Sequence, residues 1–300
     1  MTSPDQPSLW RARVALAVTL LIWSSFLVVT RVAMTGYLTE IEVGLIRFGT
    51  GAILFLPVLL RHGVVPRGAG WMEIVLIPAF GGIGFILFLS AGLRHAPVAD
   101  SGVFAPSMLP LYVALLSLVF LGERFDRLRI VGFALIFGGA LAVGGSSLLS
   151  GEAGAWRGHL LFTAASMSWA VYTILFRRSG LGPAEGAALL CVWSGLFFAV
   201  AALIKGVSFD GVPLEALLLQ ILFQGVLSGF VATFTYFQAI AAFGASRTAA
   251  YAALVPVLAA LGGWVVLGEA IGPGKALGIL VVVTGVVLAS GQVSARRARS

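Results

Sequence analysis

The protein has 300 residues, of which 59% are hydrophobic and only 10% are charged, and its mean hydropathy is +1.04. Soluble domains carry about 25% charged residues, so this composition excludes an ordinary soluble fold. The net charge of +7 does not indicate a nucleic-acid-binding protein, because the basic residues stand at the ends of apolar runs and form no stripe. The single cysteine, Cys191, excludes an intrachain disulfide and a cysteine-based metal site.

Ten mainly apolar runs follow one another along the chain, each near the roughly 20 residues that a helix needs to cross the hydrocarbon core. They occupy residues 13–33, 41–60, 72–93, 98–120, 128–147, 158–177, 186–205, 215–240, 247–267 and 274–292. The runs lack the alternation of membrane β-strands, and their connections are too short to hold a soluble domain. The sequence therefore predicts an all-α membrane protein with ten transmembrane helices.

The chain aligns with itself, without gaps, at an offset of 146 residues. The matched residues include Trp23 with Trp169, Arg31 with Arg177, Pro110 with Pro256, Gly132 with Gly278, and Leu121, Gly122 and Glu123 with Leu267, Gly268 and Glu269. Five spans are an odd number, so the second repeat must enter the membrane from the opposite side. We predict two inverted five-helix repeats, 1–146 and 147–300, within one transmembrane domain. The small and polar segment 144–154 is the predicted linker.

The basic residues predict the orientation. If both termini are cytoplasmic, the inner segments hold 13 of the 19 lysines and arginines. The positive-inside rule therefore favours a topology with both the N-terminus and the C-terminus inside.

Glycine and proline mark the predicted packing and bending sites. Gly132 and Gly139 are seven residues apart and share a helix face, and Gly278 and Gly285 repeat this spacing. We expect these two helices to pack against each other, with a dimer face as the alternative. The mates Pro110 and Pro256 predict symmetric kinks in the fourth and ninth spans, which act either as static kinks or as hinges.

Few ionisable groups lie within the spans. Arg47 is about six residues into the second run, where an unpaired charge is costly. We favour structural pairing with Asp100 or with backbone carbonyls, and the alternative is capture of a substrate carboxylate. Glu123 and Glu269 stand at tight turns before a helix, and we interpret both as structural.

Several short motifs mark the first half, and the second half repeats part of the pattern. They are Ile22–Phe26 (IWSSF), Ile46–Phe48 (IRF), Ala91–Leu93 (AGL), Leu109–Leu111 (LPL) and Leu121–Phe125 (LGERF), then Tyr236–Ile240 (YFQAI), Val255–Val257 (VPV) and Leu267–Glu269 (LGE). With these motifs the chain resembles ten-helix members of the drug/metabolite transporter superfamily of the EamA type, and it is similar to the aromatic amino-acid exporters. It departs from symmetry at Trp193, which stands where the first half has Arg47.

The resemblance implies a bacterial inner-membrane exporter of small metabolites. It also implies a central cavity lined by the first, third, fourth, sixth, eighth and ninth spans. The aromatic candidates for its wall are Trp23, Phe80, Phe85, Phe88, Trp169, Tyr172, Phe230 and Tyr251. The polar candidates are Ser24, Ser107, Gln224 and Ser228. The alternative for each aromatic residue is packing or contact with lipid.

The sequence shows no residue pattern typical of a catalytic site. His62, His95 and His159 stand at span ends, where we expect solvated side chains, and no cluster has metal-ligand spacing. No phosphate-binding loop is present. We therefore expect no enzymatic activity, no cofactor and no metal.

The expected protein is a monomer that exports neutral, above all aromatic, amino acids by alternating access, down the substrate gradient. A multidrug or organic cation exporter is the first alternative, but residues 14–33 contain no Asp or Glu to exchange a cation for a proton. A non-transporting membrane scaffold is the second.

Overall fold

The structure is a computed structural model, and it describes residues 9–63, 70–149, 152, 154–243, 248 and 251–290. The regular secondary structure of the described residues is all helical, with no strand among them. Its helices are α1 (Leu9–Gly36), α2 (Glu40–Leu54), α3 (Leu56–His62), α4 (Trp71–His95), α5 (Val98–Gly102), α6 (Leu109–Leu121), α7 (Arg127–Leu149), α8 (Ala155–Ser179), α9 (Pro183–Lys205), α10 (Leu214–Gln220), α11 (Ala232–Phe243), α12 (Val255–Leu267) and α13 (Pro273–Ala289).

Seven helical stretches among the described residues are long and apolar enough to cross a membrane. They are Leu9–Gly36, Trp71–His95, Val98–Phe120, Arg127–Ser147, Ala155–Ser179, Pro183–Lys205 and Leu214–Val231. The apolar helices α12 and α13 are shorter. The structure therefore supports a membrane protein with several helical spans.

Local sequence explains several helix ends. Thr39 and Glu42 form a capping box at the start of α2, in which the Glu42 carboxylate accepts the backbone N–H of Thr39 at 2.6 Å. Two helix C-termini are also explained: α6 and α12 end on Gly122 and Gly268, whose φ values of 65° and 68° favour glycine. The two copies of the Leu-Gly-Glu motif thus perform the same helix-stopping role.

Three wide-turn segments interrupt regular helical geometry. A π segment, Pro78–Gly84, lies within α4, and another, Val103–Ser107, continues α5. A third, Ile221–Val231, joins α10 to α11. Because π turns shift hydrogen bonds by one residue, they frequently occur at functional sites.

Two of the predicted boundaries are wrong in detail. The run 41–60 is divided at Phe55, where one helix ends and the next begins. Residues 144–149 of the predicted linker continue α7, because nothing in this stretch stops the helix before Leu149. The remainder of that linker includes Ser150 and Gly151, which lie outside the described residues.

The prediction for the glycine pairs is confirmed. An added Cβ on Gly132 would lie 2.7 Å from the Gly285 carbonyl oxygen, and one on Gly139 would lie 2.8 Å from the Gly278 carbonyl oxygen. Helices α7 and α13 therefore pack backbone to backbone, which only small residues allow.

Other helices also pack against helices of the opposite half, as α7 does against α13. Helix α1 packs on α11 and α12, while α8 packs on α4 and α6. Helix α2 packs on α9, and large buried side chains such as Phe162 of α8 and Phe198 of α9 fill the interior. Each half therefore buries its helices against the other half.

Candidate functional site

Each tryptophan of the matched pair contacts an aromatic ring from the other half. Trp23 on α1 lies 4.9 Å from Tyr236 on α11, measured between ring centroids. Trp169 on α8 lies 4.6 Å from Phe85 on α4 and 5.1 Å from Tyr172. The structure thus brings Phe85, Trp169 and Tyr172 together and places Trp23 in a separate pair.

The predicted polar residues divide into two groups. Ser24 donates to the Leu20 carbonyl at 2.9 Å and Ser107 donates to the Gly102 carbonyl at 2.8 Å, so both hydroxyls are buried and bonded within their own helices. Gln224 and Ser228 lie on the π segment that follows α10, and they take part in contacts between helices. Their hydrogen bonds therefore reach Thr30 of α1 and Arg47 of α2, in contrast to those of Ser24 and Ser107.

The remaining predicted aromatic residues are not gathered into one site. Phe230 packs edge-on against Phe55 at 5.5 Å. Phe88 and Tyr251 are exposed on the surface of the isolated chain. The Phe80 carbonyl accepts the Ser168 hydroxyl at 2.7 Å.

The predicted prolines flank matched breaks in the helices. Pro110 lies in the first turn of α6, just after Met108, and Pro256 lies in the first turn of α12, just after Leu254. A proline in a first helical turn removes an N–H that has no intrahelical partner, so neither residue costs a hydrogen bond. The sequence predicted kinks at these prolines, and the structure has the interruptions two residues earlier, at Met108 and Leu254.

Arg47 does not pair with Asp100, so that favoured expectation was wrong. Its Nη1 donates to the Ser228 hydroxyl at 3.1 Å, and its guanidinium carbon lies 4.6 Å from the centre of the Phe26 ring. Helix packing directs Arg47 into the space between α1 and the π segment after α10. Asp100 lies in α5 and contacts Lys275, His159 and Ser147 instead.

Asp100 forms the centre of a buried ionic cluster. Its Oδ1 lies 3.1 Å from the Lys275 ammonium, and its Oδ2 lies 2.6 Å from His159 Nε2 and 2.8 Å from the Ser147 hydroxyl. Lys275 also donates to both oxygens of Glu152, at 2.7 and 2.9 Å. This cluster joins the beginnings of α5, α8 and α13 to the end of α7.

His159 is therefore not the solvated helix-end histidine that we expected. Its side chain is 11% exposed, and its ring stacks on Phe104 with centroids 4.5 Å apart. Spacing along the chain gave no signal for this cluster, because Asp100, His159 and Lys275 come from three distant segments.

The two Leu-Gly-Glu motifs carry a second ionic feature. Glu269 pairs with Arg31 at 3.1 Å, and Glu123 pairs with Arg177 at 2.9 Å. These four residues are matched at the offset of 146, and each pair joins one half to the other. The two glutamates stand at turns as predicted, but their pairing with arginine was not foreseen.

An apolar groove of about 430 Å³ lies between α6 and α7 and includes none of the predicted site residues. No group of three or more His, Cys, Asp or Glu residues suited to a metal ion occurs in the part of the chain that the structure describes.

The comparisons with known proteins fit this duplicated helical architecture. The profile of the EamA-like transporter family matches twice, at residues 10–145 and 156–291. The chain belongs to this family. It is therefore a membrane transporter of the drug/metabolite transporter superfamily, as the sequence motifs indicated.

Several relatives span nearly the same length as the chain. A probable terminal-alkyne amino-acid exporter of Streptantibioticus cattleyicolor is 26% identical over 94% of this chain and 94% of its own length. The "uncharacterized inner membrane transporter YedA" of Escherichia coli K12 is also 26% identical, over 91% of this chain and 89% of its own length. A protein of known crystal structure has a TM-score of 0.65 at 22% identity, covering 96% of this chain and 99% of that one, which shows a shared fold.

Proposed function

We propose that the protein is a ten-span transporter built from two inverted five-helix repeats, 1–146 and 147–300. The observation that carries this proposal is the exchange of contacts between halves. Arg31 meets Glu269 while its mate Arg177 meets Glu123, and Trp23 and Trp169 each meet an aromatic ring of the other half. A pseudo-two-fold axis in the membrane plane generates such exchanged pairs.

Transport by alternating access follows from the same symmetry. Each half presents the same contacts at opposite ends of the bundle, so one end can close while the other opens. The breaks at Met108 and Leu254, beside Pro110 and Pro256, are the proposed hinges. The broken helices would swing about points that are matched between the halves.

The proposed substrates are neutral amino acids, above all aromatic ones, and the proposed direction is export across the bacterial inner membrane. The aromatic residues Trp23, Phe85, Trp169 and Tyr172 offer apolar contact area in two clusters, and Gln224 and Ser228 offer polar groups on the π segment after α10. The relative in Streptantibioticus cattleyicolor, which carries the name of an amino-acid exporter, supports the same substrate class.

Exchange of radiolabelled phenylalanine in proteoliposomes tests this proposal. Vesicles loaded with unlabelled phenylalanine should accumulate the labelled amino acid transiently, and protein-free vesicles should not. Transport of an organic cation in place of every amino acid would favour the multidrug alternative. Failure to move any solute would favour the scaffold.

Cysteine labelling tests the proposed orientation. The native Cys191 is buried, so we expect it to react little with the labelling reagent. With both termini inside, a cysteine at Ser150 should react from outside the cell and one at Ser294 only from inside; both positions lie outside the described residues. Labelling of both positions from one side would contradict the inverted ten-span architecture.

A further inference from the structure

Arg47 has no acidic partner among the residues that the structure describes. A guanidinium carries five N–H donors, and the structure shows one hydrogen bond from Arg47, to Ser228. Phe26 and Phe48 flank the guanidinium, with ring centres 4.6 and 5.8 Å away. No Asp or Glu among the described residues forms an ion pair with it.

Two other cations of the helix bundle, unlike Arg47, have acidic partners. Lys275 meets Asp100 and Glu152, and Arg31 meets Glu269. A charge within the membrane-spanning part of a protein is costly unless it is paired or wetted. Since the described part of the chain supplies carboxylates for the other two cations and not for Arg47, the position is suited to an anion from outside the chain.

An unpaired acceptor lies one step along the same π segment. Gln224 is completely buried, and its Oε1 has no hydrogen-bond partner among the described residues. Its Nε2 donates to the Thr30 hydroxyl at 2.8 Å and to Gln220 Oε1 at 3.2 Å, which holds the amide in place. A buried polar atom without a partner costs free energy, so this oxygen is suited to a donor that arrives with a ligand.

The two groups converge on one strip of α1. Thr30, which contacts Gln224, lies four residues after Phe26, which contacts Arg47, and Thr30 donates back to the Phe26 carbonyl at 2.6 Å. Residues four apart lie on one helix face. Arg47 and Gln224 are also linked through the π segment, because Arg47 donates to Ser228, which follows Gln224 by four residues, or about one turn.

An aromatic pair continues this strip. Trp23 precedes Phe26 by three residues, a rise of about 4.5 Å along the helix, and it lies against Tyr236. A ligand anchored between Arg47 and Gln224 can thus extend its side chain toward two aromatic rings. The combination of a carboxylate anchor, an ammonium acceptor and an aromatic surface fits a zwitterionic α-amino acid.

We propose that Arg47 binds the substrate carboxylate and that Gln224 Oε1 accepts a hydrogen bond from the substrate ammonium group. This inference rests on the proposed transport function and names the groups that recognise its substrate. Arg47 has Trp193 as its counterpart in the second half, so the site is single and lies off the symmetry axis.

Binding measurements separate this inference from the transport proposal. The probes are phenylalanine, phenethylamine, which lacks the carboxylate, and 3-phenylpropionate, which lacks the ammonium group. Their affinities for purified wild-type protein and for the variants R47Q, R47K and Q224L would be measured by calorimetry. R157Q is the matched control, because Arg157 is exposed and lies 5.5 Å from the Trp156 ring.

We expect R47Q to lose at least about 10-fold in phenylalanine affinity, which corresponds to one charge-assisted hydrogen bond. Its affinity for phenethylamine should stay within about 2-fold of wild type. Q224L should show the reverse selectivity, weakening phenethylamine and sparing 3-phenylpropionate. R47K, which keeps the charge but loses the fork geometry, should show an intermediate loss, and R157Q should match wild type.

Phenylalanine binding that is equal in R47Q and wild type would overturn the inference. If R47Q does not fold, R47K replaces it, and equal changes in its affinities for phenylalanine, phenethylamine and 3-phenylpropionate would contradict a carboxylate anchor. If phenylalanine is not bound at all, the proposed substrate class fails. Arg47 remains the anchor in that case only if another carboxylate, such as a hydroxy acid or dipeptide, stabilises wild type and not R47Q.

Discussion

The two ends of the helix bundle carry matched ion pairs in different surroundings. At the Asp100 end, which also holds Arg31 and His159, the Arg31 and Glu269 side chains are 19% and 15% exposed. At the opposite Glu123 end, Arg177 and Glu123 are 49% and 36% exposed. Helix α8 joins the two ends, since His159 and Arg177 are 18 residues, or roughly 27 Å, apart along it.

The supporting contacts differ as well. Glu269 also accepts the backbone N–H of Val98 at 2.8 Å, and Arg31 also donates to the Leu93 carbonyl. The pair at the Glu123 end is joined by a single hydrogen bond. The same residues in matched positions therefore form a supported, partly buried contact at one end and a solvent-screened contact at the other. In an alternating-access cycle we expect this inequality to exchange between the ends.

Asp100→Asn is expected to have the largest effect. The Asp100 carboxylate is fully buried, and the neutral amide would leave Lys275 with Glu152 alone. Removing one partner of a buried ion pair costs about 3–5 kcal/mol, so the thermal unfolding temperature in detergent should fall clearly. Asp210→Asn, at an exposed loop position, is the control. Equal unfolding temperatures for the two variants would show that the cluster does not hold the Asp100 end together.

Glu269→Gln is expected to have a smaller but measurable effect. It weakens the bond to Arg31 and the charge-assisted bond from the Val98 N–H, but Arg31 keeps the Leu93 carbonyl. Losing such bonds at a partly buried site costs about 1–3 kcal/mol. Thermal unfolding followed by tryptophan fluorescence measures the change, and the conservative variant Glu269→Asp should recover part of it.

Glu123→Gln, the matched change at the other end, should alter stability by only about 0–1 kcal/mol, because exposed ion pairs contribute little. The comparison is made in the same detergent and at low salt, where screening is weakest. A loss of stability equal to that of Glu269→Gln would mean that the two ends are energetically equivalent in solution.

Counterflow is expected to depend little on an imposed proton gradient. The middle thirds of the predicted spans contain no Asp, Glu or His, and Asp100 lies near the beginning of its helix. Counterflow in proteoliposomes should therefore proceed at equal pH inside and outside. Concentrative uptake driven by a pH step alone, and abolished in Asp100→Asn, would instead identify the Asp100 end as the coupling site.

The sequence alone was sufficient for the features that depend on local composition. Apolar runs predicted the helices, Gly132, Gly139, Gly278 and Gly285 predicted the packing of α7 on α13, and the duplicated motifs predicted the family. Each of these features is written along one helix or in a repeated pattern. Periodicity and glycine placement therefore report them directly.

Tertiary structure alone decided which charges meet. Arg31 pairs with Glu269, 238 residues away, and Asp100 pairs with Lys275 and His159, so Arg47 is left with Ser228. In a duplicated chain the offset identifies equivalent residues, but here the equivalent ion pairs occupy opposite ends of the bundle. Partners across a helix interface are selected by packing angle and depth, which the order of residues does not encode in any local pattern.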